Sequence, residues 1–182
     1  MRGGFDLDQQ NLLFLFAAIT SIFIITFVGF LDDVVIEGQK ESSSGLRQWQ
    51  KPLLTLSAAV PLMVISAGST AMGLPFLGVV DFGILYPLLF VPLGVVGAAN
   101  MVNMLAGFNG METGMAIVNI GSLGLFAYVN GSPLAALIAL VSVAALIAFY
   151  MFNKTPARIL AGDSLTYLIG GLLAVIAILG NV

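Results

Sequence analysis

The residues that could do chemistry in this chain are acids, amides, hydroxyls and cations, because the sequence has no histidine and no cysteine. The missing histidine removes the commonest general base and zinc ligand, and the missing cysteine removes disulfides and thiolate metal sites. What remains is a set of hard oxygen ligands and positive charges suited to Mg²⁺ and phosphate. The sequence therefore favours phosphate chemistry over zinc or thiol chemistry.

Asp32 and Asp33 form a carboxylate pair directly after a long uncharged apolar run. If a helix ends at this pair, the negative end of its dipole meets two acids, so something must compensate them. They are either solvated interfacial carboxylates or groups that approach a cation or a substrate proton, and such a pair can divide roles. Lys51, after the next polar segment, is by default an interfacial anchor.

A second polar group extends from Asn100 to Glu112. Asn100 and Asn103 are three residues apart and share a helical face, where amide oxygens could join a Mg²⁺ shell without adding charge. Interhelical hydrogen bonding explains both asparagines equally well. Asn109 lies in the following turn, and Glu112 alone would most simply be a first-turn acid of the next helix.

A third polar group contains Arg158 and Asp163. Asp163 opens a further apolar run, where an Asp is ordinarily an N-cap, and from these residues alone the capping role is slightly favoured. Arg158 is by default a membrane-interface anchor. No glycine-rich nucleotide-binding motif is present, so a nucleotide would have to be bound by another arrangement.

The elements that must position these groups are membrane helices. The 182 residues are 59% hydrophobic and 8% charged, whereas a soluble domain is about 25% charged. With about 20 apolar residues per crossing, the sequence predicts an all-α polytopic transmembrane bundle forming one membrane domain, residues 1–182. About six spans are predicted, at residues 12–31, 52–68, 83–104, 111–129, 134–152 and 164–179. For residues 69–82 the sequence predicts a short extracytoplasmic hairpin or re-entrant loop. Pro61 is expected to kink the second span.

The loops after the first, third and fifth predicted spans share one membrane face, because each span reverses sides. Five of the six basic residues lie in these loops: Lys40, Arg47, Lys51, Lys154 and Arg158. Under the positive-inside rule this face is cytoplasmic, and the candidate acids lie on it too. No basic run resembles a phosphate-backbone stripe, so a nucleic-acid partner is not expected.

Three stretches, taken together, resemble the polyprenyl-phosphate N-acetylhexosamine-1-phosphate transferase family, glycosyltransferase family 4. They are Gly29-Phe30-Leu31-Asp32-Asp33 with Lys51 downstream, Asn100 to Glu112, and Pro156 to Asp163. The stretch Asn103 to Glu112 is similar to the N-acetylglucosamine branch that serves dolichyl-type lipids. The resemblance implies Mg²⁺-dependent transfer of N-acetylglucosamine-1-phosphate from UDP-GlcNAc to a membrane polyprenyl phosphate, with Mn²⁺ as a substitute ion. The products would be polyprenyl-diphosphate-GlcNAc and UMP, in the synthesis of lipid-linked precursors of glycans or glycoproteins.

The same resemblance implies roles for individual residues. Asp163 and Asn103 match metal ligands; Asp32, Asp33 and Lys51 match catalytic positions; Asn100, Asn109, Glu112 and Arg158 match substrate-binding positions. Lys51 would neutralise the diphosphate, and the aspartate pair would activate or position the lipid phosphate. Members of the family are longer on both sides and carry an Arg- or His-bearing cytoplasmic loop, so the chain is expected to be the central part of a longer enzyme. The sequence leaves open whether the chain forms a homo-oligomer.

Two alternatives come from other classes of protein. A transporter or channel subunit would carry polar residues at mid-membrane depth along an ion path. A non-catalytic fragment of the transferase family would keep the spans and bind no nucleotide.

Overall fold

The protein is a bundle of helices with one small hairpin, seen in a computed structural model that describes residues 8–38, 45–76 and 78–182. The helices are α1 (Gln9–Gly38), α2 (Gln50–Leu56), α3 (Val60–Val64), α4 (Val91–Leu105), α5 (Met111–Val129), α6 (Pro133–Asn153) and α7 (Asp163–Gly180). A 3₁₀ turn, Ser57–Ala59, joins α2 to α3, and a π-helical turn, Tyr86–Phe90, leads into α4. The predicted all-α polytopic bundle is confirmed. The predicted anchor Lys40 lies outside the described residues.

Five helical segments of the described residues are long and apolar enough to cross a membrane: Gln9–Val35, Tyr86–Leu105, Met111–Val129, Pro133–Asn153 and Asp163–Gly180. The second predicted span differs, because its helical run extends only from Gln50 to Val64. At ~1.5 Å per residue this run is about 22 Å long, less than the ~30 Å hydrocarbon layer. Pro61 explains its irregularity: proline has no N–H to bond the Ser57 carbonyl, where the 3₁₀ turn begins.

The segment predicted as a hairpin or re-entrant loop is a β-hairpin. Strand β1 (Ala71–Leu74) pairs antiparallel with β2 (Gly78–Asp81), with Ala71 opposite Asp81. The hairpin lies near the C-terminal end of α7, where Met72 and Asn181 line a common cavity. The hairpin is therefore at the opposite end of the bundle from Asp163.

Helix α7 is the centre of the bundle. It packs against α1 and α4 on one side and against α5 and α6 on the other, so two hydrophobic cores share it. Two glycines allow close approaches to the backbone of a neighbouring helix. A Cβ at Gly29 of α1 would lie 2.5 Å from the Asp163 carbonyl oxygen, and a Cβ at Gly170 of α7 would overlap the backbone of Ala99 in α4. This packing brings the first turn of α7 against α1 and α4.

Candidate functional site

Four side chains from four helices meet at one end of the bundle: Asp32 of α1, Lys51 of α2, Asn103 of α4 and Asp163 of α7. We name them the Asp–Lys cluster. Lys51 Nζ lies 2.5 Å from Asp32 Oδ2 and 3.6 Å from Asp163 Oδ2. The Asn103 amide nitrogen donates to Asp163 Oδ1 over 2.9 Å. The structure thus unites residues from all three sequence stretches.

The electrostatics of the Asp–Lys cluster favour binding of a further cation. The Asp32 side chain is fully buried, while Lys51 and Asp163 keep 22% and 25% of their side-chain surfaces exposed. The Leu46 N–H donates to Asp32 Oδ1 over 2.6 Å, and Lys51 supplies one positive charge to the two carboxylates beside it. Such a pair needs a shared proton or a second cation to balance it.

A divalent ion at the Asp–Lys cluster would find few protein ligands. Among the described residues, no three acidic side chains converge on one point. Mg²⁺ is commonly held by one or two carboxylates and completes its shell with phosphate oxygens and water. Asp32 and Asp163 fit that description, and a phosphate could enter on the side where Lys51 and Asp163 are exposed.

Asp33 follows Asp32 in sequence but contacts a different helix. Its carboxylate accepts the Asp163 N–H over 2.8 Å, the Ser164 N–H over 2.9 Å and the Ser164 hydroxyl over 2.5 Å. Asp33 therefore caps the N-terminus of α7 from the neighbouring helix, where the positive end of the dipole favours an acid. A Cβ at Gly162 would come within 2.9 Å of this carboxylate, so the cap depends on a glycine there.

Two sequence-based expectations about these acids are wrong. Helix α1 continues to Gly38, so Asp32 and Asp33 do not end it, although each has the compensating positive charge or dipole that was expected. Asp163 does not cap its own helix: Gly162 occupies the N-cap position and makes no side-chain cap bond. The Asp163 carboxylate instead faces Lys51 and Asn103.

Asn100 lies one helical turn before Asn103 and joins three helices. Its amide nitrogen donates to Thr55 Oγ1 over 3.1 Å and to the Val96 carbonyl over 2.7 Å. The Tyr167 hydroxyl, on α7, donates to its amide oxygen over 3.5 Å. These contacts match the alternative in which Asn100 forms hydrogen bonds between helices. They hold together the helices that carry the Asp–Lys cluster.

Sequence reasoning did not identify the hydroxyl groups that surround the Asp–Lys cluster. Thr166 Oγ1 accepts a second bond from Asn103 over 3.0 Å, and Thr55 bonds Asn100. A signal was available in the spacing, because Thr55 lies four residues after Lys51 and Thr166 three residues after Asp163. Residues at that spacing share a helical face.

The remaining predicted site residues lie in two neighbouring loops, residues 106–110 and 154–162, which we name the loop pair together with the adjoining Glu112. Glu112 accepts the Gly107 N–H over 2.7 Å, and the Thr155 hydroxyl donates to the Asn109 carbonyl over 3.3 Å. Asn109 and Arg158 are exposed. In the part of the chain that the structure describes, no hydrogen bond or ion pair joins the side chains of Asn109, Glu112 or Arg158 to the Asp–Lys cluster.

Membrane-length helices with acids, an amide and a lysine gathered at one end define an integral membrane protein whose polar site suits a cation and phosphate groups. Residues 15–181 match the sequence profile of glycosyl transferase family 4, and the chain belongs to that family. The family predicted from the three stretches is confirmed.

Curated relatives are similar over nearly the whole chain. A Saccharolobus solfataricus protein, provisionally named UDP-N-acetylglucosamine–dolichyl-phosphate N-acetylglucosaminephosphotransferase, is 38% identical over 185 residues, covering 99% of this chain and 55% of that protein. A Sulfolobus acidocaldarius protein with the same provisional name is 33% identical over 162 residues, covering 88% and 47%. The Staphylococcus saprophyticus phospho-N-acetylmuramoyl-pentapeptide-transferase is 30% identical over 182 residues, covering 96% and 56%. The chain spans about half the length of these relatives.

Proposed function

We propose that the protein transfers N-acetylglucosamine-1-phosphate from UDP-GlcNAc to a membrane polyprenyl phosphate of the dolichyl type. The observation that carries the proposal is the Asp–Lys cluster, placed at one end of the bundle in a chain of this family. The choice of sugar and lipid follows the names of the Saccharolobus and Sulfolobus relatives. It also follows the stretch from Asn103 to Glu112, which is similar to the N-acetylglucosamine branch.

The chemistry requires an anion to attack another anion. An oxygen of the lipid phosphate forms a bond to the sugar-bearing phosphorus of UDP-GlcNAc, the bond to the other phosphate breaks, and UMP leaves. Repulsion between phosphates is the main barrier, and positive charge held in a pre-organised site lowers it. Lys51, positioned by Asp32 and partly exposed, would supply that charge to the diphosphate.

Asp163 and Asn103, with Asp32 beside them, would hold Mg²⁺, and Mn²⁺ could replace it. Two carboxylates around one ammonium are the structural feature that fits a divalent ion. The ion would neutralise the diphosphate and polarise its phosphorus. Asn103 presents its amide nitrogen to Asp163, so its oxygen would become a ligand only after the amide turns.

We assign different roles to the two consecutive aspartates. Asp32, which contacts Lys51 and Asp163, belongs to the group that positions the lipid phosphate. Asp33 is a positioning residue, because its carboxylate is occupied by the first turn of α7. It fixes the place of Asp163 rather than touching substrate.

The loop pair would bind the nucleotide-sugar. Asn109 would contact the uridine, and Glu112 and Arg158 would also bind the substrate. Asn100 would act indirectly, through its hydrogen bonds to the neighbouring helices. This end of the bundle carries Arg47, Lys51, Lys154 and Arg158. Under the positive-inside rule the active face is cytoplasmic, where UDP-sugars would reach it.

The alternatives make different predictions. A transporter or channel would need charged groups at mid-membrane depth. The charged residues of the described spans instead lie at or near the site end of their helices: Asp32, Asp33, Glu112 and Asp163. Asp8 lies just before α1. A non-catalytic family member would leave UDP-GlcNAc intact. Calorimetric titration with UDP-GlcNAc and Mg²⁺ would measure binding separately from turnover.

The direct test uses the protein encoded by the complete open reading frame, reconstituted with dolichyl phosphate, UDP-GlcNAc and Mg²⁺. We expect Mg²⁺-dependent release of UMP, abolished by Asp163→Asn and unchanged by Asp81→Asn, which alters an acid of the hairpin at the opposite end. Activity that survives in Asp163→Asn would remove the metal assignment. Turnover of UDP-MurNAc-pentapeptide in place of UDP-GlcNAc would remove the substrate assignment.

A further inference from the structure

Lys51 reaches the Asp–Lys cluster from the shortest of the four helices that contribute to it. Helix α2 has 7 residues and continues into the 3₁₀ turn, whereas α1, α4 and α7 have 30, 15 and 18 residues. It packs mainly on α4 and less extensively on α1. Its ammonium must nevertheless lie 3.6 Å from Asp163 of α7. The contact between α2 and α4 therefore has to hold Lys51 in place.

A threonine forms the polar part of the contact between α2 and α4. Thr55 is fully buried, and it is the buried residue of α2, a helix that lies wholly within the described residues. Its hydroxyl donates to the Lys51 carbonyl over 3.0 Å and accepts a hydrogen bond from the Asn100 amide of α4 over 3.1 Å. The hydroxyl thus joins the backbone of Lys51 to α4.

The threonines of α1 show what is different about Thr55. Thr20 donates to the Phe16 carbonyl and Thr26 to the Ile22 carbonyl, each over 2.7 Å and four residues back in the same helix. Such bonds satisfy a hydroxyl locally and fix nothing between helices. Thr55 makes the same local bond and in addition accepts a bond from a second helix.

The Asn100 amide depends on Thr55 as an acceptor. Its nitrogen carries two N–H donors, and its other hydrogen bond goes to the Val96 carbonyl of α4 over 2.7 Å. A partly buried amide that loses one acceptor keeps an unpaired donor, which is unfavourable. Loss of the Thr55 hydroxyl would therefore disturb both sides of the contact.

We propose that Thr55 is a positioning residue for Lys51, whose hydrogen bond with Asn100 fixes α2 against α4 so that the ammonium meets Asp163 as well as Asp32. The inference rests on the proposed function, in which Lys51 neutralises the diphosphate. Asp32 alone leaves the ammonium other places to lie, because a lysine side chain is long and flexible. Fixing the backbone of α2 removes that freedom.

The first test needs no turnover and uses the protein encoded by the complete open reading frame, in lipid vesicles. Its lysines are labelled with an amine-acylating reagent, and mass spectrometry follows Lys51, with the exposed Lys154 as reference. We expect Thr55→Val to raise the labelling rate of Lys51 several-fold, because the freed amine is more accessible, and to leave Lys154 unchanged. Ser57→Ala is the matched control, since Ser57 donates to the Leu54 carbonyl of its own helical run over 2.6 Å.

Two further variants keep this test decisive. Thr55→Ser retains the hydroxyl, so Lys51 should be labelled at the wild-type rate. Asn100→Leu breaks the same hydrogen bond from the side of α4 and should raise the labelling of Lys51 as Thr55→Val does. Thermal unfolding of each variant is measured in parallel, so that a protein that does not fold is recognised.

The second test is kinetic. Thr55→Val should lower kcat for UMP release about tenfold with little change in the KM for UDP-GlcNAc, because a small misplacement of a positioned group slows the reaction steeply. Thr55→Ser should restore the rate. Because Thr55 acts through Lys51, adding Thr55→Val to Lys51→Ala should lower kcat no further.

The proposal is overturned if Thr55→Val leaves the labelling of Lys51 unchanged, or if Thr55→Ser behaves as Thr55→Val does. A further fall of kcat in the Lys51→Ala background would also overturn it, since Thr55 would then act on the site by another route. A wild-type protein that releases no UMP from UDP-GlcNAc would instead remove the proposed function, and the labelling rates would still decide whether Thr55 positions Lys51.

Discussion

The Asp–Lys cluster and the loop pair lie at the same end of the bundle but are built differently. The cluster takes one side chain from each of four helices, with Asp32 fully buried. The loop pair is held by bonds that involve backbone groups, and Asn109 and Arg158 are exposed. Charge in a packed, partly dry site acts more strongly than charge in water. In the proposed function the cluster would therefore carry the phosphate chemistry and the loops the adjustable contacts with substrate.

The largest predicted effect is that of Lys51→Ala. Under the proposed function, removing the ammonium takes away the charge that would face the diphosphate, and Asp32 and Asp163 are left without their shared cation. We expect kcat to fall by ~100-fold or more, the loss seen when one pre-organised electrostatic group is removed. UMP release from UDP-GlcNAc in reconstituted membranes measures the change.

The matched control for Lys51→Ala is Arg47→Ala, which removes an exposed cation just before the same helix and should change kcat little. Because a buried carboxylate without its partner also destabilises the fold, thermal unfolding is measured in parallel. Adding Asp32→Asn should restore stability and leave activity low. A Lys51→Ala protein with near-normal turnover would contradict the phosphate role of the cluster.

The second prediction concerns the packing that holds the cluster together. Gly29→Ala would push the α1 backbone from the first turn of α7, because the new Cβ would lie 2.5 Å from the Asp163 carbonyl oxygen. Overpacking of this kind costs about 1–3 kcal/mol, so we expect a lower unfolding temperature and reduced turnover. Gly94→Ala is the control, since a Cβ there meets nothing within 4 Å. Equal effects of the two substitutions would show that the approach of α1 to α7 is not what positions Asp163.

The third prediction separates the two consecutive aspartates. Asp33→Asn keeps one carbonyl acceptor for the first turn of α7 and loses the charge, which is worth about 0.3–2 kcal/mol near a helix N-terminus. We expect roughly a tenfold loss in kcat, with the KM for both substrates little changed and the thermal stability lowered. Asp32→Asn should lose far more activity, because Asp32 contacts Lys51 directly. Equal losses in the two variants, with stability intact, would make Asp33 a reacting group.

Much of the site could be predicted from sequence because its members lie in stretches where charged or amide residues interrupt apolar runs. Asp32, Asn103 and Asp163 stood out in that way with bland alternatives still open, and the family resemblance joined them with Lys51. The helical bundle follows from composition. The end of α1 was placed wrongly because hydropathy shows where lipid contact ends. A helix can continue into water, as α1 does to Gly38.

Other features depend on contacts between distant segments and leave no local pattern. Asp33 caps α7 because α1 and α7 approach closely at Gly29. These two helices are more than a hundred residues apart in the sequence. The short second helical run follows from Pro61 and the following turn, and its length could not be read from hydropathy alone. Asn100 shows the same limit, because its partners Thr55 and Tyr167 come from two other helices.

The smallest predicted effect is that of Arg158→Ala, which tests the other half of the comparison. Arg158 is exposed in the loop pair, and an exposed charge contact is worth ~0.2–1 kcal/mol. We expect the KM for UDP-GlcNAc to rise by about fivefold at most, with kcat unchanged and the effect diminishing at high salt. Lys154→Ala, an exposed cation of the same loop, is the control. A large fall in kcat would mean that the loop closes onto the cluster during turnover, and the two regions would then form one site rather than two.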